Sequence, residues 1–182
     1  MPRVCRVLLF LLLAGPILVA SEAHAEESEA LPATVLGGSL AAAYPTGDFA
    51  DFAGIGLGGF MHVAKFLGPH LALSGSFGLL YHLPKKSTQL TEVPLLAGVS
   101  YFLGDDRQVE LFGQAGIVAL RSSVELEIAS LTDTETKFGF QSGASVRVGP
   151  GMIRFGLLIP SVPDADEGFN LMASYQLAVV ER

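Results

Sequence analysis

Cysteine, tryptophan and charged residues are scarce in this chain of 182 residues, a length that suits one domain. The only cysteine is Cys5, so the chain beyond it has no disulfides, thiolate metal sites or thiol nucleophiles. Charged residues make up 16 %, against about 25 % in an ordinary soluble domain, which is too little to cover a water-facing surface. The net charge of −7 argues against a nucleic-acid partner, which would need a basic patch.

No long hydrophobic run follows the first 25 residues, and those residues predict a cleaved secretory signal peptide. Arg3 and Arg6 precede an uncharged, Leu-rich stretch from Val7 to Ala20, and Ala23-His24-Ala25 provides a small-x-small cleavage site. A membrane-spanning helix would need about 20 continuous apolar residues, which is more than this stretch offers.

The chain therefore divides into three predicted parts. Residues 1–25 are the signal peptide, residues 26–32 are an acidic leader and residues 33–182 are the folded domain. We interpret the leader as a solvated segment outside the core, because it is charged through Glu26, Glu27 and Glu29.

Hydrophobic residues alternate with small or polar ones at a period of two throughout the third part, which is the pattern of β-strands. The segment from Leu71 to Tyr81 shows this clearly, since Leu73 and Phe77 share one face while Ser74 and Ser76 share the other. Eight such segments are predicted, over residues 34–43, 54–63, 71–81, 93–102, 109–120, 137–148, 152–159 and 171–179.

Long and short connections alternate between these segments. Short periplasmic turns and longer outer loops are typical of outer-membrane barrels, whose tilted strands cross the hydrocarbon with about 9–11 residues. The predicted fold is therefore an all-β, eight-stranded antiparallel up-and-down transmembrane β-barrel. The long connections cover residues 44–53, 82–91, 121–135 and 160–169, and the short ones cover 66–70, 104–108 and 149–151.

In such a barrel the apolar faces meet lipid, and small or polar side chains fill the narrow lumen. Arg147 and Arg154 are expected inside, where they could face Glu110. A secreted, soluble barrel of lipocalin type, with the opposite polarity, is the alternative fold. The residues expected to line the lumen are Gly54, Gly56, Gly58, Ser74, Ser76, Gln114, Gln141, Ser145 and Arg147.

The segment from Gly37 to Phe49, which reads GGSLAAAYPTGDF, carries a family resemblance. It is similar to the first strand and first outer loop of the small eight-stranded outer-membrane β-barrel proteins of Gram-negative bacteria. The resemblance implies a location in the cell outer membrane and insertion by the barrel-assembly machinery. It also implies contact with outer-membrane lipid and lipopolysaccharide, by a chain that we expect to be a monomer.

Gly54, Gly56 and Gly59 match the G-x-G-x-x-G pattern of dinucleotide-binding loops. Such a loop must open a helix that holds the pyrophosphate, whereas here the residues from Phe60 to Val63 continue a strand. We interpret the glycines as small residues in a crowded lumen, and no cofactor is predicted.

His82, Ser87 and Glu92 lie near the second predicted outer loop and could form a hydrolase site at the rim, as in lipid-modifying barrels. No nucleophile-elbow motif accompanies them, and their spacing fixes no hydrogen-bond geometry. The favoured interpretation of His82 is an aromatic-like residue at the membrane rim.

Carboxylates crowd the third and fourth predicted outer loops. Their oxygens suit Ca²⁺ or Mg²⁺, which could bridge to lipopolysaccharide, but the EF-hand spacing is not met. We interpret them as solvated loop tips and predict no metal site. These residues are Glu125, Glu127, Asp133, Glu135, Asp164, Asp166 and Glu167.

The predicted function is that of a non-enzymatic outer-membrane barrel with a packed lumen, which serves envelope structure or surface interaction through four outer loops. No catalytic, cofactor-binding or metal-binding residue is assigned, because a fold of this kind does not by itself imply an activity. The alternatives are a rim-located lipid hydrolase and a soluble ligand-binding barrel.

Overall fold

The computed structural model describes residues 34–85, 88–104, 106–125, 130–161 and 168–181, so the predicted signal peptide and leader lie outside the described residues. The described part forms a closed antiparallel barrel in which the strands pair in sequence order and β8 pairs with β1. The strands are β1 (Thr34–Pro45), β2 (Ala53–Phe66), β3 (Leu71–Lys85), β4 (Thr88–Leu103), β5 (Val109–Glu125), β6 (Ser130–Val148), β7 (Gly151–Ile159) and β8 (Asn170–Glu181).

The two ends of the barrel differ in their connections. At one end Thr34 pairs with Lys65 and Val35 pairs with Glu181, and the short connections after β2, β4 and β6 lie at this same end. We call it the periplasmic end, because short turns face the periplasm in barrels of this type. The outer end carries the other connections, and the first of them contains a 3₁₀ helix over Gly47–Asp51.

Two of the predicted outer loops are shorter than expected. Only residues 86–87 separate β3 from β4, and only residues 126–129 separate β5 from β6, so the predicted connections over 82–91 and 121–135 were wrong in length. Polar strands continue to pair outside the membrane, as Ser123 Oγ and Thr132 Oγ1 do at 3.0 Å across β5 and β6. The predicted strands therefore covered only the membrane-crossing part of longer hairpins.

Large apolar side chains cover the outside of the barrel. Leu40 is 80 % exposed and Met61 is 69 % exposed, values that a water-facing surface would not favour. The predicted apolar outside is confirmed, and the opposite polarity expected of a soluble barrel is not found. Other exposed residues on this surface are Leu57, Leu73, Phe77, Leu79, Leu95, Leu111, Ile117, Phe138, Phe155, Leu171 and Leu177.

Within the described ranges, no helix has the length and apolar character needed to cross a membrane.

Apolar side chains fill the middle of the lumen, which was expected to hold only small or polar residues. Glycines on neighbouring strands provide the space: a Cβ on Gly78 would lie 2.4 Å from the ring of Phe60, and one on Gly139 would lie 2.4 Å from Cγ2 of Val118. The expectation failed because these glycines let large side chains lie across the barrel. The apolar layer comprises Ala41, Ala43, Phe60, Leu80, Leu96, Val118, Leu158 and Met172.

Candidate functional site in the lumen and at the outer end

An ion pair between Arg154 and Glu110 lies in the half of the lumen nearer the periplasmic end. Arg154 Nη2 is 3.5 Å from Glu110 Oε1, and both side chains are buried. Ser100 Oγ donates a hydrogen bond of 2.6 Å to Glu110 Oε1, and Ser145 Oγ donates to Glu110 Oε2. The guanidinium also lies 4.1 Å from the centre of the Phe112 ring. The charges are therefore compensated and hydrogen-bonded, as a buried pair requires.

Arg147, the second arginine expected to face Glu110, is placed differently. It lies at the end of β6, where it pairs with Met152, and its side chain is exposed. The alternation of faces was predicted correctly, but at this position the lumen has already opened to the periplasm. The prediction that Arg147 lines the lumen was therefore wrong.

His62 belongs to the same polar layer and contacts a serine. Its Nε2 lies 2.9 Å from Ser39 Oγ, and its Nδ1 lies 2.9 Å from Arg154 Nη1. Since a guanidinium can only donate, His62 Nδ1 must accept, and the proton of the neutral ring is on Nε2. A histidine in this form cannot take the serine proton, so the pair is not an activated nucleophile.

The predicted lumen positions on β3, β5 and β6 are confirmed by their hydrogen bonds. Ser76 Oγ donates to Gln114 Oε1 at 2.7 Å, and Gln114 Nε2 donates to Ser74 Oγ at 3.0 Å. Gln141 lies opposite Gln114 in the strand register and contacts the sulfur of Met172. Each of these contacts spans one intervening strand, and the cavity beside Gln141 and Met172 measures only about 10 Å³.

His82 and Glu92 form a fully buried pair nearer the outer end, with His82 Nε2 3.2 Å from Glu92 Oε1. Asn170 Nδ2 lies 2.9 Å and 3.1 Å from the two carboxylate oxygens of Glu92. Gly56 gives the imidazole its space, since a Cβ there would lie 2.8 Å from the ring. The prediction of His82 as a membrane-rim residue was therefore wrong, because it points into the lumen.

The contacts of His82 fix the position of one ring proton. His82 Nδ1 lies 2.9 Å from the carbonyl oxygen of Gly54, which can only accept, so the proton of Nδ1 is fixed. Without a second proton, the lone pair of Nε2 would face a carboxylate. Ser87, the serine of the hypothetical hydrolase site, lies outside the described residues. The contacts of His82 are those of a buried residue that stabilises the packing of the lumen.

The first outer connection closes the lumen above this pair. Phe49, in the 3₁₀ helix, lies edge-on to the His82 ring with centroids 5.6 Å apart. Phe49 packs with Ala53 and Leu90 in a small buried cluster. Thr46 Oγ1 donates a 2.7 Å hydrogen bond to the carbonyl oxygen of Phe169, which joins the first outer connection to the fourth.

An outer cavity of about 280 Å³ opens above Phe49. One side is apolar, with Leu90 and Leu120, and the other side is polar, with Asp133 and Glu135. Lys137 also lines it and lies 3.4 Å from Glu135 Oε2. This combination of apolar and charged walls suits a ligand contact.

The remaining predicted positions are resolved more simply. Gly54, Gly56 and Gly58 lie within β2 and not in a loop before a helix, so they cannot form a dinucleotide site. Among the described residues, no three histidine, cysteine or carboxylate side chains are grouped to hold a metal. The carboxylates at 127, 164, 166 and 167 lie outside the described residues.

Sequence reasoning missed Asn170, Phe49 and the contact between Ser39 and His62. Of these, Asn170 could most readily have been predicted from the sequence, because a polar residue at the inward-facing start of an apolar strand is a usable signal. Phe49 gave no such signal, since a phenylalanine in a connection is equally compatible with a lipid contact.

Comparison with known proteins identifies the fold. No protein-family model matches the sequence, and a search of curated proteins finds no significant match. The attachment invasion locus protein Ail of Yersinia pestis is similar in structure, with a TM-score of 0.58 and 13 % identity over 79 % of this chain and 97 % of Ail. Neisserial surface protein A gives a TM-score of 0.52 and 14 % identity over 83 % of this chain and 100 % of its own. The N-terminal β-barrel domain of Pseudomonas aeruginosa OprF gives a TM-score of 0.56 and 9 % identity over 82 % of this chain and 100 % of its own.

The chain therefore has the fold of the small eight-stranded outer-membrane β-barrels. This fold and the apolar outer surface confirm the predicted transmembrane barrel and its location in the outer membrane.

Proposed function

We propose that this chain is a non-enzymatic outer-membrane barrel that serves envelope structure or surface interaction through its outer end. The observation that carries the proposal is the filled lumen. The layer around Glu110, the apolar layer and the layer around His82 follow one another between the two ends. A lumen packed in this way suits neither solute transport nor the entry of a lipid substrate.

The hydrolase alternative has little support in these contacts. His82 points away from lipid and has both ring nitrogens opposite Gly54 and Glu92, while His62 has the wrong tautomer to activate Ser39. A base that acts on a lipid must instead reach its substrate with a free nitrogen.

The charge of the outer end limits the partners that we propose. Ail has been crystallised with the heparin analogue sucrose octasulfate, a polyanion. Here the outer cavity is lined by Asp133 and Glu135, and Lys137, the one cation that lines it among the described residues, lies beside Glu135. Because like charges repel, we propose that the outer cavity receives neutral surface groups and not a polyanion, and that outer-membrane lipid and lipopolysaccharide contact the apolar outer wall through their acyl chains. We propose assembly by the barrel-assembly machinery and a monomeric state.

Planar-bilayer recording tests the filled lumen. The purified barrel should give no conductance steps, whereas a Phe60→Ala/Leu80→Ala variant, which empties part of the apolar layer, should conduct more. Steady channels in the unchanged protein would contradict the proposal.

Envelope lipid analysis tests the non-enzymatic role. Cells that express the chain, its His82→Ala variant or neither should have the same lipid composition. A lipid change that depends on His82 would establish the hydrolase instead.

A further inference from the structure

An arginine side chain is held at the periplasmic mouth of the barrel. Arg107, in the turn between β4 and β5, donates from Nε to the carbonyl oxygen of Pro69 at 3.0 Å. Its guanidinium carbon lies 4.5 Å from the centre of the Phe66 ring, at the end of β2. Two contacts thus hold the guanidinium in place, and its four remaining N–H groups are available to an acceptor.

Arg147 lies next to this arginine. Its backbone nitrogen donates to the carbonyl oxygen of Gln108 at 2.7 Å, and its side chain is exposed. Partial burial and the charge of Arg147 lower the pKa of the Arg107 guanidinium. Among the described residues, no carboxylate lies within ion-pair distance of either side chain. The two cations at the periplasmic end therefore have no ion-pair partner among the described residues, although Asp106 lies in the same turn as Arg107.

The described barrel begins close to the ring on which Arg107 lies. Thr34, the first residue of β1, pairs with Lys65, and Lys65 precedes the Phe66 ring on which Arg107 lies. Glu29 is five residues before Thr34. An extended chain spans about 3.3 Å per residue, so this separation covers roughly 16 Å and reaches across the mouth.

We propose that Arg107 and Arg147 form a docking surface for carboxylates and that the leader, residues 26–32 of the same chain, occupies it. The leader brings Glu26, Glu27 and Glu29 to two cations that are already positioned, one of them by stacking on Phe66. Arginine binds carboxylates through paired hydrogen bonds, which a fixed guanidinium forms at a lower entropic cost.

Limited proteolysis of the folded protein purified from the outer membrane tests this docking. A glutamate-specific endopeptidase is added at low salt, and mass spectrometry follows cleavage after Glu29. In the Arg107→Gln/Arg147→Gln variant the leader should be cleaved about fivefold faster, as expected for the loss of two exposed ion pairs. The matched control is Arg121→Gln, which removes an exposed arginine from the outer end and should leave the rate unchanged.

Two further measurements test whether ion pairs hold the leader in place. Arg147→Gln alone removes a side chain with no packing role and should give a smaller increase, while 0.5 M salt should speed cleavage of the unchanged protein by screening. Equal cleavage rates in the unchanged and doubly substituted proteins would overturn the proposal. So would a variant that loses bound phosphatidylglycerol while its leader is cleaved at the normal rate, because the site would then bind lipid phosphate.

Discussion

Single glycines control how closely neighbouring strands and lumen side chains approach one another. A Cβ on Gly58 would collide with the backbone of β3, whereas one on Gly113 would meet no atom within 4 Å. The two glycines therefore share a residue type but differ in function, since only Gly58 is required by packing.

Gly58→Ala should lower the free energy of unfolding in lipid vesicles by about 1–3 kcal/mol, because the backbone of Leu79 must move. Gly113→Ala is the control and should change stability by less than about 0.5 kcal/mol. Urea titrations of both variants measure the difference. Equal losses would contradict the assignment of Gly58 to a crowded position.

Asn170 has an equally local role, because it supplies two hydrogen bonds to the buried carboxylate of Glu92. Asn170→Ala should cost about 1.5–3 kcal/mol of unfolding free energy, the range for hydrogen bonds to charged groups. The same substitution in a Glu92→Gln background should cost clearly less, since no buried charge is then left unsatisfied. Identical costs in the two backgrounds would show that Asn170 stabilises the barrel in another way.

At the scale of whole strands, β5 and β6 contain a membrane-crossing part and a polar part beyond it. Ala115 faces outward in the first part and pairs with Phe140, while Thr136 faces outward in the second and pairs with Ala119. The same strand pair therefore passes from lipid to water within a few residues.

Arginine substitutions at these two positions should have different costs. Ala115→Arg places a charge near the bilayer midplane and should cost about 2–4 kcal/mol, whereas Thr136→Arg should cost about 0–1 kcal/mol. Refolding into lipid vesicles at increasing urea measures both. A larger loss of stability from Thr136→Arg than from Ala115→Arg would show that we have placed the membrane boundary on the wrong part of β6.

The faces of the strands could be predicted from the sequence, but their ends and cross-barrel contacts could not. Alternation at a period of two placed Gln114 in the lumen and Leu111 on the outside, because lipid and lumen select opposite side chains. Beyond the membrane both faces meet water and the selection disappears, so β6 was predicted too short. The pairing of Glu92 with Asn170 joins residues 78 positions apart and depends on the register of the closed barrel.

For the molecule as a whole, the closed ladder should make the barrel resistant to detergent. The unheated protein should migrate faster on gels than the boiled one, since a closed barrel stays compact. Reductant should have no effect once the segment containing Cys5 is removed. Identical migration before and after boiling would contradict a stable closed barrel.

N-terminal sequencing of the envelope protein should give Glu26 as the first residue, because Ala23-His24-Ala25 fits the signal-peptidase site. A chain that still begins at Met1 would contradict the predicted cleavage and leave the apolar segment attached.

The pairing of Val35 with Glu181 has a consequence for gene design. Because the first and last strands are neighbours, the order in which strands follow one another along the polypeptide can be rotated without changing any strand pair. A circular permutant that opens between Lys85 and Thr88, with a short linker joining residue 181 to residue 34, would retain the whole ladder. Such a permutant would place its new ends at the cell surface, where a displayed peptide fused to either end would be accessible.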